Sequence, residues 1–388
     1  MRVTEDRVSG SRGGGNGDGA NRDGGNRGGG NRDTGGRGRS RGSRALRTAA
    51  VMLGCLLVLT GAGACWVYWK LDNNIQSVDI DSALGDDRPK KAAAVSTPRP
   101  TASPSDSASP SPYPSVSALP AGALNVLVLG SDSRSGERNS ELGGGNSSGA
   151  RSDTAMIVHI DADRTEATVV SIPRDTLVTR PSCPTSSGGS TAVAYGAMFN
   201  SAYSVGGPVC AIKTVEQLTD VRMDHYIEID FAGFADLVDA LGGVTVTTEE
   251  DIDDDKSHLH LEAGTHRLDG TEALALARTR HGIGDGSDLG RIGLQQQLIK
   301  AMLEEAVASD LLASPSRLYD VADAVTGSLT TDTGLDSLGE LMGLAQAVSG
   351  ISADDLTTVT MPVVTALSDP NRVVANESEA SELWASLR

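Results

Sequence analysis

Charged side chains flank three apolar, β-branched segments in the central part of the chain. They are of the two types that bind metal ions and phosphate groups: Asp132, Arg134, Arg151, Asp153, Arg174 and Asp175. Carboxylates supply the hard oxygen ligands that a Mg²⁺-like cation takes, and arginines bind phosphate through paired hydrogen bonds. The pattern predicts a phosphate or diphosphate site, with surface ion pairs at strand ends as the ordinary alternative.

The three apolar segments must lie side by side for these residues to meet. Residues 124–129, 155–160 and 167–172 have the composition of strands, and the short, turn-rich link 161–165 predicts an antiparallel hairpin. The hairpin would bring the charged residues at its open end together. If the first strand also pairs antiparallel with the second, its carboxyl end brings Asp132 to the same edge.

A second group of polar residues follows much later in the chain. It consists of Arg278, Arg280, His281, Asp288, Arg291 and Gln295. The last three are spaced three and four residues apart, so a helix starting near Ser287 would carry them on one stripe. The apolar stripe of that helix, which would face the core, consists of Ile292, Ile299, Leu303 and Ala306.

In the order and spacing of these motifs the chain resembles the LytR-CpsA-Psr proteins, over roughly residues 124–388. The matching motifs are Gly130-x-Asp132-x-Arg134, Arg151-Ser-Asp153-Thr154, Ile172-Pro-Arg174-Asp175, Asn200-Ser-Ala-Tyr203-x-x-Gly206-Gly207, Leu268-Asp-Gly270-x-x-Ala273-Leu274, Arg278-x-Arg280, Asp288-x-x-Arg291 and Gln295-Gln296. The resemblance implies a phosphotransferase that moves a glycopolymer from a polyprenyl-diphosphate carrier onto peptidoglycan in a Gram-positive envelope.

The resemblance also implies roles for individual residues. Asp132 and Asp153 would hold Mg²⁺ or Mn²⁺. The diphosphate would be held by Arg151, Arg174, Arg278, Arg280 and Arg291, with Gln295 completing that shell. Further substrate contacts are expected from Arg134, Asp175, Asp288 and Gln296, and two of these, Asp175 and Asp288, are candidates for a general base.

One position departs from the family pattern, and one insertion lies next to the predicted site in the chain. The family often has an arginine directly before the paired glutamines, and this chain has Leu294 there. The Gly/Asn/Ser-rich insertion 135–150 adjoins the predicted site and is either a mobile lid or a flexible loop.

Two other functions remain open on the sequence. A polyprenyl-diphosphate hydrolase would use the same residues with water as the acceptor. A non-catalytic wall-binding or regulatory module would not need two metal-ligating aspartates. The chain has no C-x-x-C, H-E-x-x-H or phosphate-loop sequence, and the proposed chemistry needs no covalent nucleophile.

The N-terminal part predicts a membrane protein. Residues 1–44, with ten Arg against five acidic residues, are too polar to form a core and predict a disordered cytoplasmic tail. Within residues 45–70, the stretch from Thr48 to Trp69 is uncharged, long enough for a bilayer that needs about 20 helical residues, and ends in aromatics. We expect a single membrane anchor with an extracytoplasmic catalytic domain; a cleavable signal peptide ending near Ala64 is the alternative.

The remainder predicts a linker and one domain. Residues 71–120, first charged and then rich in Ser, Pro and Ala, predict a spacer that holds the domain off the bilayer. Residues 121–388 alternate strand and helix patterns: helices at 208–220, 231–241, 271–277, 288–309, 315–325 and 335–348, and strands at 223–230 and 355–363. This order predicts an α/β (α+β) fold, with a mixed central β-sheet covered by helices on both faces.

Charge restricts the partners of the exported part. The net charge is −18, and the first 70 residues carry twelve basic against five acidic side chains, so the remainder carries −25. Such a surface does not suit nucleic acid. A domain this acidic must concentrate its positive charge locally to bind a diphosphate, as the arginine motifs do.

Three smaller features receive ordinary interpretations. Cys183 and Cys210 both lie on the exported side, so a disulfide between them is permitted. It would join the loop after the hairpin to the helix that starts near Pro208. The acidic run at 251–255 lacks the glycine of a calcium loop and predicts a solvated turn. The histidines at 258 and 260 lack an evident third zinc ligand and predict an exposed strand.

Overall fold

The central element is a seven-stranded mixed sheet, in the order β1-β12-β7-β2-β3-β4-β13. The strands are β1 (Gln76–Val78), β2 (Leu124–Ser131), β3 (Ser152–Ile160), β4 (Ala167–Ser171), β5 (Leu177–Arg180), β6 (Ala194–Met198), β7 (His225–Asp230), β8 (Val244–Thr248), β9 (Ile252–Asp254), β10 (Leu259–Leu261), β11 (Gly264–Leu268), β12 (Leu329–Asp332), β13 (Leu356–Thr360), β14 (Val363–Ala366) and β15 (Asp369–Ala375). The remaining strands form four separate two-stranded antiparallel sheets, β5–β6, β8–β11, β9–β10 and β14–β15.

The helices pack around this sheet. They are α1 (60–74), α2 (Asp81–Leu84), α3 (Asn200–Thr219), α4 (Phe231–Leu241), α5 (Gly270–Arg278), α6 (Asp288–Ala308), α7 (Pro315–Ser328), α8 (Leu338–Val348) and α9 (Glu377–Ser386). The computed structural model describes residues 60–85, 88–91, 119–131, 142, 152–185, 188–280, 288–308 and 314–388.

The pairing of the opening strands agrees with the sequence-based expectation. β2 pairs antiparallel with β3, and β3 pairs antiparallel with β4. The Asp161 carboxylate closes the β3–β4 turn, because its Oδ1 accepts hydrogen bonds from the backbone N–H groups of Thr165 at 2.8 Å and Glu166 at 3.0 Å. The predicted hairpin is confirmed, and the open end of all three strands lies at one edge.

Helices cover both faces of the sheet. Alternate residues of a strand point to opposite faces. Accordingly, Ile157 of β3 packs in one buried cluster with Ile212 of α3 and Trp384 of α9. Its neighbour Met156 belongs to a second cluster, against which Ile299 of α6 packs. The predicted mixed sheet between helical layers is therefore confirmed.

The disulfide predicted between Cys183 and Cys210 is present, with 5.2 Å between the two Cα atoms. It fastens the loop after β5 to α3 at the point where that helix changes direction. Gly206 and Gly207 have non-helical backbone angles, and Pro208 restarts the helix as its first residue. A side chain at Gly206 would place its Cβ only 2.8 Å from the Cys210 Cβ, so this close approach requires glycine.

The described part of the predicted linker belongs to the folded domain. β1 pairs parallel with β12 at the edge of the sheet, and Ile80 and Leu84 lie in the main core. Arg88 Nη2 lies 2.7 Å from Glu216 Oε1, in an ion pair whose side chains are 4% and 5% exposed. The linker prediction is wrong for residues 71–85 and 88–91, because these residues include too few apolar side chains to indicate an element in isolation.

A chain that begins at Ala121 is therefore expected to lose most of its stability. It lacks the buried side chains of Leu71, Ile80 and Leu84, each worth about 1.5 to 3 kcal/mol. It also leaves Glu216 buried without Arg88, at a cost of about 3 to 5 kcal/mol. The sum approaches the whole stability of a typical domain.

Urea unfolding followed by circular dichroism measures this loss. A chain that begins at Gly61 keeps these contacts and is the matched control, which should unfold cooperatively at a clearly higher urea concentration. Equal midpoints for the two chains would contradict the assignment of residues 71–85 and 88–91 to the folded domain.

The predictions for the N-terminal region fall largely outside the described residues. This holds for residues 1–44, for 48–59 of the predicted anchor, and for 92–118 of the linker. The described end of the anchor is α1, where Lys70 Nζ lies 2.8 Å from Asp323 Oδ1 and donates a hydrogen bond to the Tyr319 hydroxyl. Within the described ranges, we find no helix whose length and apolar character would suffice to span a membrane.

Candidate active site

A cavity of about 490 Å³ lies between the sheet and helices α4, α5 and α6. Much of its lining is apolar and comes from strands and helices alike: Val128, Met156, Ile229, Phe231, Phe234, Leu274, Leu298, Ile299 and Met302. The polar lining contains most of the predicted site residues that the structure describes: Asp153, Arg174, Arg278, Arg280, Arg291 and Gln295. The cavity thus combines a cationic cluster with an apolar chamber.

Arg174 and Asp153 meet where β4 ends and β3 begins. The Arg174 Nη1 donates a hydrogen bond to Asp153 Oδ1 at 2.5 Å. The backbone N–H of Arg174 donates to Asp288 Oδ2 at 3.3 Å, and 3.6 Å separates the Arg174 Nε from Asp288 Oδ1. The structure thus brings together two residues of the strand ends and one of the later helix.

Asp288 is the anionic centre of the arginine cluster. It opens α6, and three residues later Arg291 places its Nη2 2.6 Å from Asp288 Oδ1. The same Nη2 donates to the Asp153 backbone carbonyl at 2.8 Å. Arg280 lies further away, with 3.9 Å between its Nη2 and Asp288 Oδ1.

Burial makes this cluster electrostatically strained. Burial lowers the pKa of Arg291 to about 10, and the neighbouring Arg280 and Arg174 act in the same direction against the opposing effect of Asp288. The pKa of Arg280 is lowered by burial and then by Arg174. Both guanidinium groups stay protonated near neutral pH, so an anion that enters the cavity relieves their desolvation and mutual repulsion.

Arg280 is oriented by an acidic residue that sequence analysis did not select. Its backbone N–H donates to Asp254 Oδ2 at 2.9 Å, and Asp254 is only 2% exposed. The turn at 251–255 is solvated as predicted at Asp251, Asp253 and Asp255, which are exposed. Asp254 points inward because it alternates along β9 with the exposed Asp253, as the period of two in a strand explains.

Arg278 and Arg280 reach the same cavity because α5 ends at Arg278 and the chain is extended at Thr279. The Arg278 guanidinium lies 4.8 Å from the centre of the Phe231 ring, a cation–π contact. Its Nη1 also donates a hydrogen bond to the carbonyl of Leu142 at 2.5 Å. Leu142 is the described residue of the insertion 135–150.

The paired glutamines have different environments. Gln295 lines the cavity and donates through Nε2 to Thr154 Oγ1 at 3.0 Å and to the Ala277 carbonyl at 2.9 Å. The Nε2 of Gln296 donates instead to the Ser171 and Thr360 hydroxyls, so it joins β4 to β13 and is not among the residues that line the cavity. We interpret Gln296 as a structural residue rather than a substrate ligand.

Leu294, the departure from the family pattern, packs against the apolar cluster formed by α4, α5, α6 and β8. It therefore takes part in packing.

Three predicted site residues, Asp132, Arg134 and Arg151, lie outside the described residues, as does His281. The flanking backbone is described: Ser131 at the end of β2 pairs with Ser152 at the start of β3. The two ends of the segment 132–151 therefore meet beside Asp153. The expected roles of these residues stay predictions.

Asp175 and its partner Arg372 stand at the outer side of the cluster. Arg372 Nη1 lies 3.0 Å from Asp175 Oδ1, and 3.7 Å separates the Arg174 Nε from Asp175 Oδ2. Sequence analysis missed Arg372, because it belongs to no charged motif and lies in the C-terminal hairpin, far from Asp175 in the chain. Only the fold reveals it.

Comparison with known proteins identifies the family of the chain. The LytR_cpsA_psr family model matches residues 67–388. A Corynebacterium glutamicum protein named "Probable cell wall biosynthesis protein LcpB" is 34% identical over 271 residues, which are 68% of this chain and 61% of that protein. Bacillus subtilis TagT, a "Polyisoprenyl-teichoic acid--peptidoglycan teichoic acid transferase", is 27% identical over 318 residues, which are 80% of this chain and 85% of that protein.

A solved structure supports the fold. The "LytR-Csp2A-Psr enzyme from Actinomyces oris" has a TM-score of 0.53 and 24% identity, over 71% of this chain and 95% of that one. This likeness concerns the mixed α/β fold alone. The chain spans 61% of the length of its corynebacterial relative. Because the family model covers most of the sequence and includes the residues before β2, this chain belongs to the LytR-CpsA-Psr family.

Proposed function

We propose that this chain transfers a glycopolymer from a polyprenyl-diphosphate carrier onto peptidoglycan. The observation that carries the proposal is the continuity of the arginine cluster with an apolar chamber in one cavity. A polyprenyl diphosphate has the same two parts, an anionic head and a hydrocarbon tail. The name of the Bacillus subtilis relative describes a transfer of this kind for teichoic acid.

The arginines would hold the diphosphate. Arg174, Arg280 and Arg291 surround Asp288 and line the cavity, so their guanidinium groups can exchange carboxylate contacts for phosphate oxygens. The prenyl chain would lie along apolar side chains such as Val128 and Met302. This orientation leaves the glycan end of the donor toward the polar side of the cavity.

Transfer then needs positioning and charge stabilisation rather than a covalent intermediate. The oxygen of an acceptor hydroxyl forms a bond to the phosphorus that carries the glycan. The bond from that phosphorus to the bridging oxygen breaks, polyprenyl phosphate leaves, and the hydroxyl proton passes to a base. The two candidate bases, Asp175 and Asp288, are each ion-paired with arginine and thus held in one orientation.

The donor set also fits a divalent cation. The Asp153 carboxylate lines the same cavity as the arginines, and position 132 directly follows Ser131, the cross-strand partner of Ser152. Asp153 and Asp132 would hold Mg²⁺ or Mn²⁺ through hard oxygen ligands. When bound, the cation would neutralise charge on the diphosphate.

We also propose a single-pass membrane location with a cytoplasmic N-terminus. The uncharged stretch from Thr48 to Trp69 supports it, together with the arginines that precede it. Because residues 71–85 and 88–91 pack in the domain, the domain would follow the membrane segment directly in the chain.

The Val128→Phe substitution tests the proposed orientation of the donor. A larger side chain inside the apolar chamber should weaken binding of geranylgeranyl diphosphate about tenfold or more, because overpacking costs about 1 to 3 kcal/mol. Binding of inorganic pyrophosphate should change less than about twofold, since it needs only the arginines. Isothermal titration of the full chain in detergent measures both affinities.

The matched control is Val364→Phe, because Val364 is an exposed valine in the C-terminal hairpin. Equal loss of both ligands in Val128→Phe, or no loss of either, would contradict the proposed orientation. Product analysis then separates the functions: polymer joined to peptidoglycan supports the transferase, and polymer phosphate released into water supports the hydrolase. Binding without cleavage would leave a wall-binding module.

A further inference from the structure

The C-terminal hairpin reaches the edge of the arginine cluster. β14 and β15 pair antiparallel, and Val373 of β15 forms a parallel bridge with Thr176, the residue after Asp175. This bridge places Arg372 against Asp175, with 3.0 Å between Nη1 and Oδ1. A second carboxylate, Asp369, lies 3.8 Å from the Arg372 Nε.

The hairpin is held firmly in this position. The helix that follows it, α9, inserts Ala380 and Trp384 into the main core, where they are 1% and 4% exposed. The backbone N–H of Asn376 donates to the Pro362 carbonyl at 2.9 Å, which closes the base of the hairpin. Arg372 therefore approaches Asp175 from a rigid support.

Arg174 stands among three carboxylates that compete for its guanidinium group. Asp153 accepts a hydrogen bond from it, and Asp288 and Asp175 lie 3.6 Å and 3.7 Å from its Nε. That Nε is buried and has no hydrogen-bond partner among the described residues. A small rotation of Asp175 would close the gap and engage the Nε in a charge-assisted hydrogen bond.

We propose that Arg372 is a positioning residue that holds Asp175 away from Arg174. By binding Asp175 Oδ1, Arg372 keeps the Arg174 guanidinium available for an incoming diphosphate. Without Arg372, Asp175 would turn to Arg174 as its nearest remaining cation and compete with phosphate oxygens. This inference rests on the proposed function, since the diphosphate is the anion that Arg174 would bind.

The test combines Arg372→Gln with Asp175→Asn in the full chain, with geranylgeranyl diphosphate and inorganic pyrophosphate as probes. Arg372→Gln alone should weaken both ligands about tenfold, the effect of one competing charge-assisted hydrogen bond. The double variant should recover affinity to within about twofold of the unchanged chain, because an amide at position 175 no longer competes for Arg174. Arg372→Lys, which keeps the charge, should lose less than about threefold.

Arg267→Gln is the matched control, because Arg267 is also paired with a carboxylate, that of Glu305, but does not line the cavity. It should leave both affinities unchanged. The inference would be overturned if Arg372→Gln weakens binding and the added Asp175→Asn does not restore it. That result is expected if Arg372 contacts the ligand directly or if its loss disorders the hairpin. Unchanged affinity in Arg372→Gln would overturn it too. Failure of the unchanged chain to bind either probe would instead contradict the proposed function.

Discussion

Replacing Arg174 with alanine is expected to reduce kcat/KM for glycopolymer transfer about 1,000-fold. Arg174 lines the cavity and contacts both Asp153 and Asp288, so it links the predicted metal ligand to the rest of the cluster. Removal of one donor that stabilises developing charge lowers the rate about 100- to 1,000-fold. Removal of an arginine that contacts the transferring phosphate lowers it about 1,000-fold or more. Release of polyprenyl phosphate from a lipid-linked donor measures the rate.

Two further variants separate the contribution of the Arg174 guanidinium from a general effect of removing an arginine. Arg174→Lys keeps the charge but loses the planar fork of donors, so it should retain more activity than alanine and less than arginine. Arg267→Ala, at an arginine that is half exposed and paired with Glu305, should leave the rate unchanged. A loss of less than about tenfold in Arg174→Ala would exclude Arg174 from the group that stabilises the transferring phosphate.

The Asp288→Asn substitution is expected to lower both stability and activity. Its carboxylate lies 2.6 Å from Arg291 Nη2, and the Arg291 side chain is only 4% exposed. A buried ion pair that loses one partner costs about 3 to 5 kcal/mol, because the other charge stays desolvated. For a domain of this size, that cost should lower Tm by about 10 °C, which differential scanning calorimetry measures.

A bound anion should partly restore the stability that Asp288→Asn loses. Saturating pyrophosphate would supply negative charge to the cluster, so the difference in Tm between Asp288→Asn and the unchanged chain should shrink when it is added. Asp354→Asn, at an exposed position, is the control and should unfold at the Tm of the unchanged chain. An unaltered Tm in Asp288→Asn would contradict the role of Asp288 as the counter-ion of Arg291.

Local sequence patterns were enough to predict the main strands and the helix that carry the site residues. The β-branched runs and the short link at 161–165 predicted the β3–β4 hairpin, since alternation and turn chemistry act within a few residues. The three- and four-residue spacing of Asp288, Arg291 and Gln295 predicted one helical stripe, and the first two of these indeed meet. In such cases the contact and the signal lie in the same short segment.

Contacts between segments distant in the chain could not be predicted from local sequence patterns. The edge strand β1 pairs with β12 across some 250 residues, so nothing near Gln76 marked it as part of the sheet. Asp254 was passed over because its acidic neighbours made the whole turn look solvated. Arg372 depends on a hairpin near the C-terminus that docks beside Thr176.

The sequence by itself determined the chemistry of this protein: paired carboxylates and clustered arginines at strand ends and on one helix, in an order specific enough to identify the family. The tertiary structure alone decided that four of the arginines share one cavity with an apolar chamber. It also decided which residues hold them there, among them Asp254, Asp288 and Arg372. The reason is physical, because residue type and local spacing determine what a side chain can bind, whereas burial and pairing depend on segments that meet only when the chain folds.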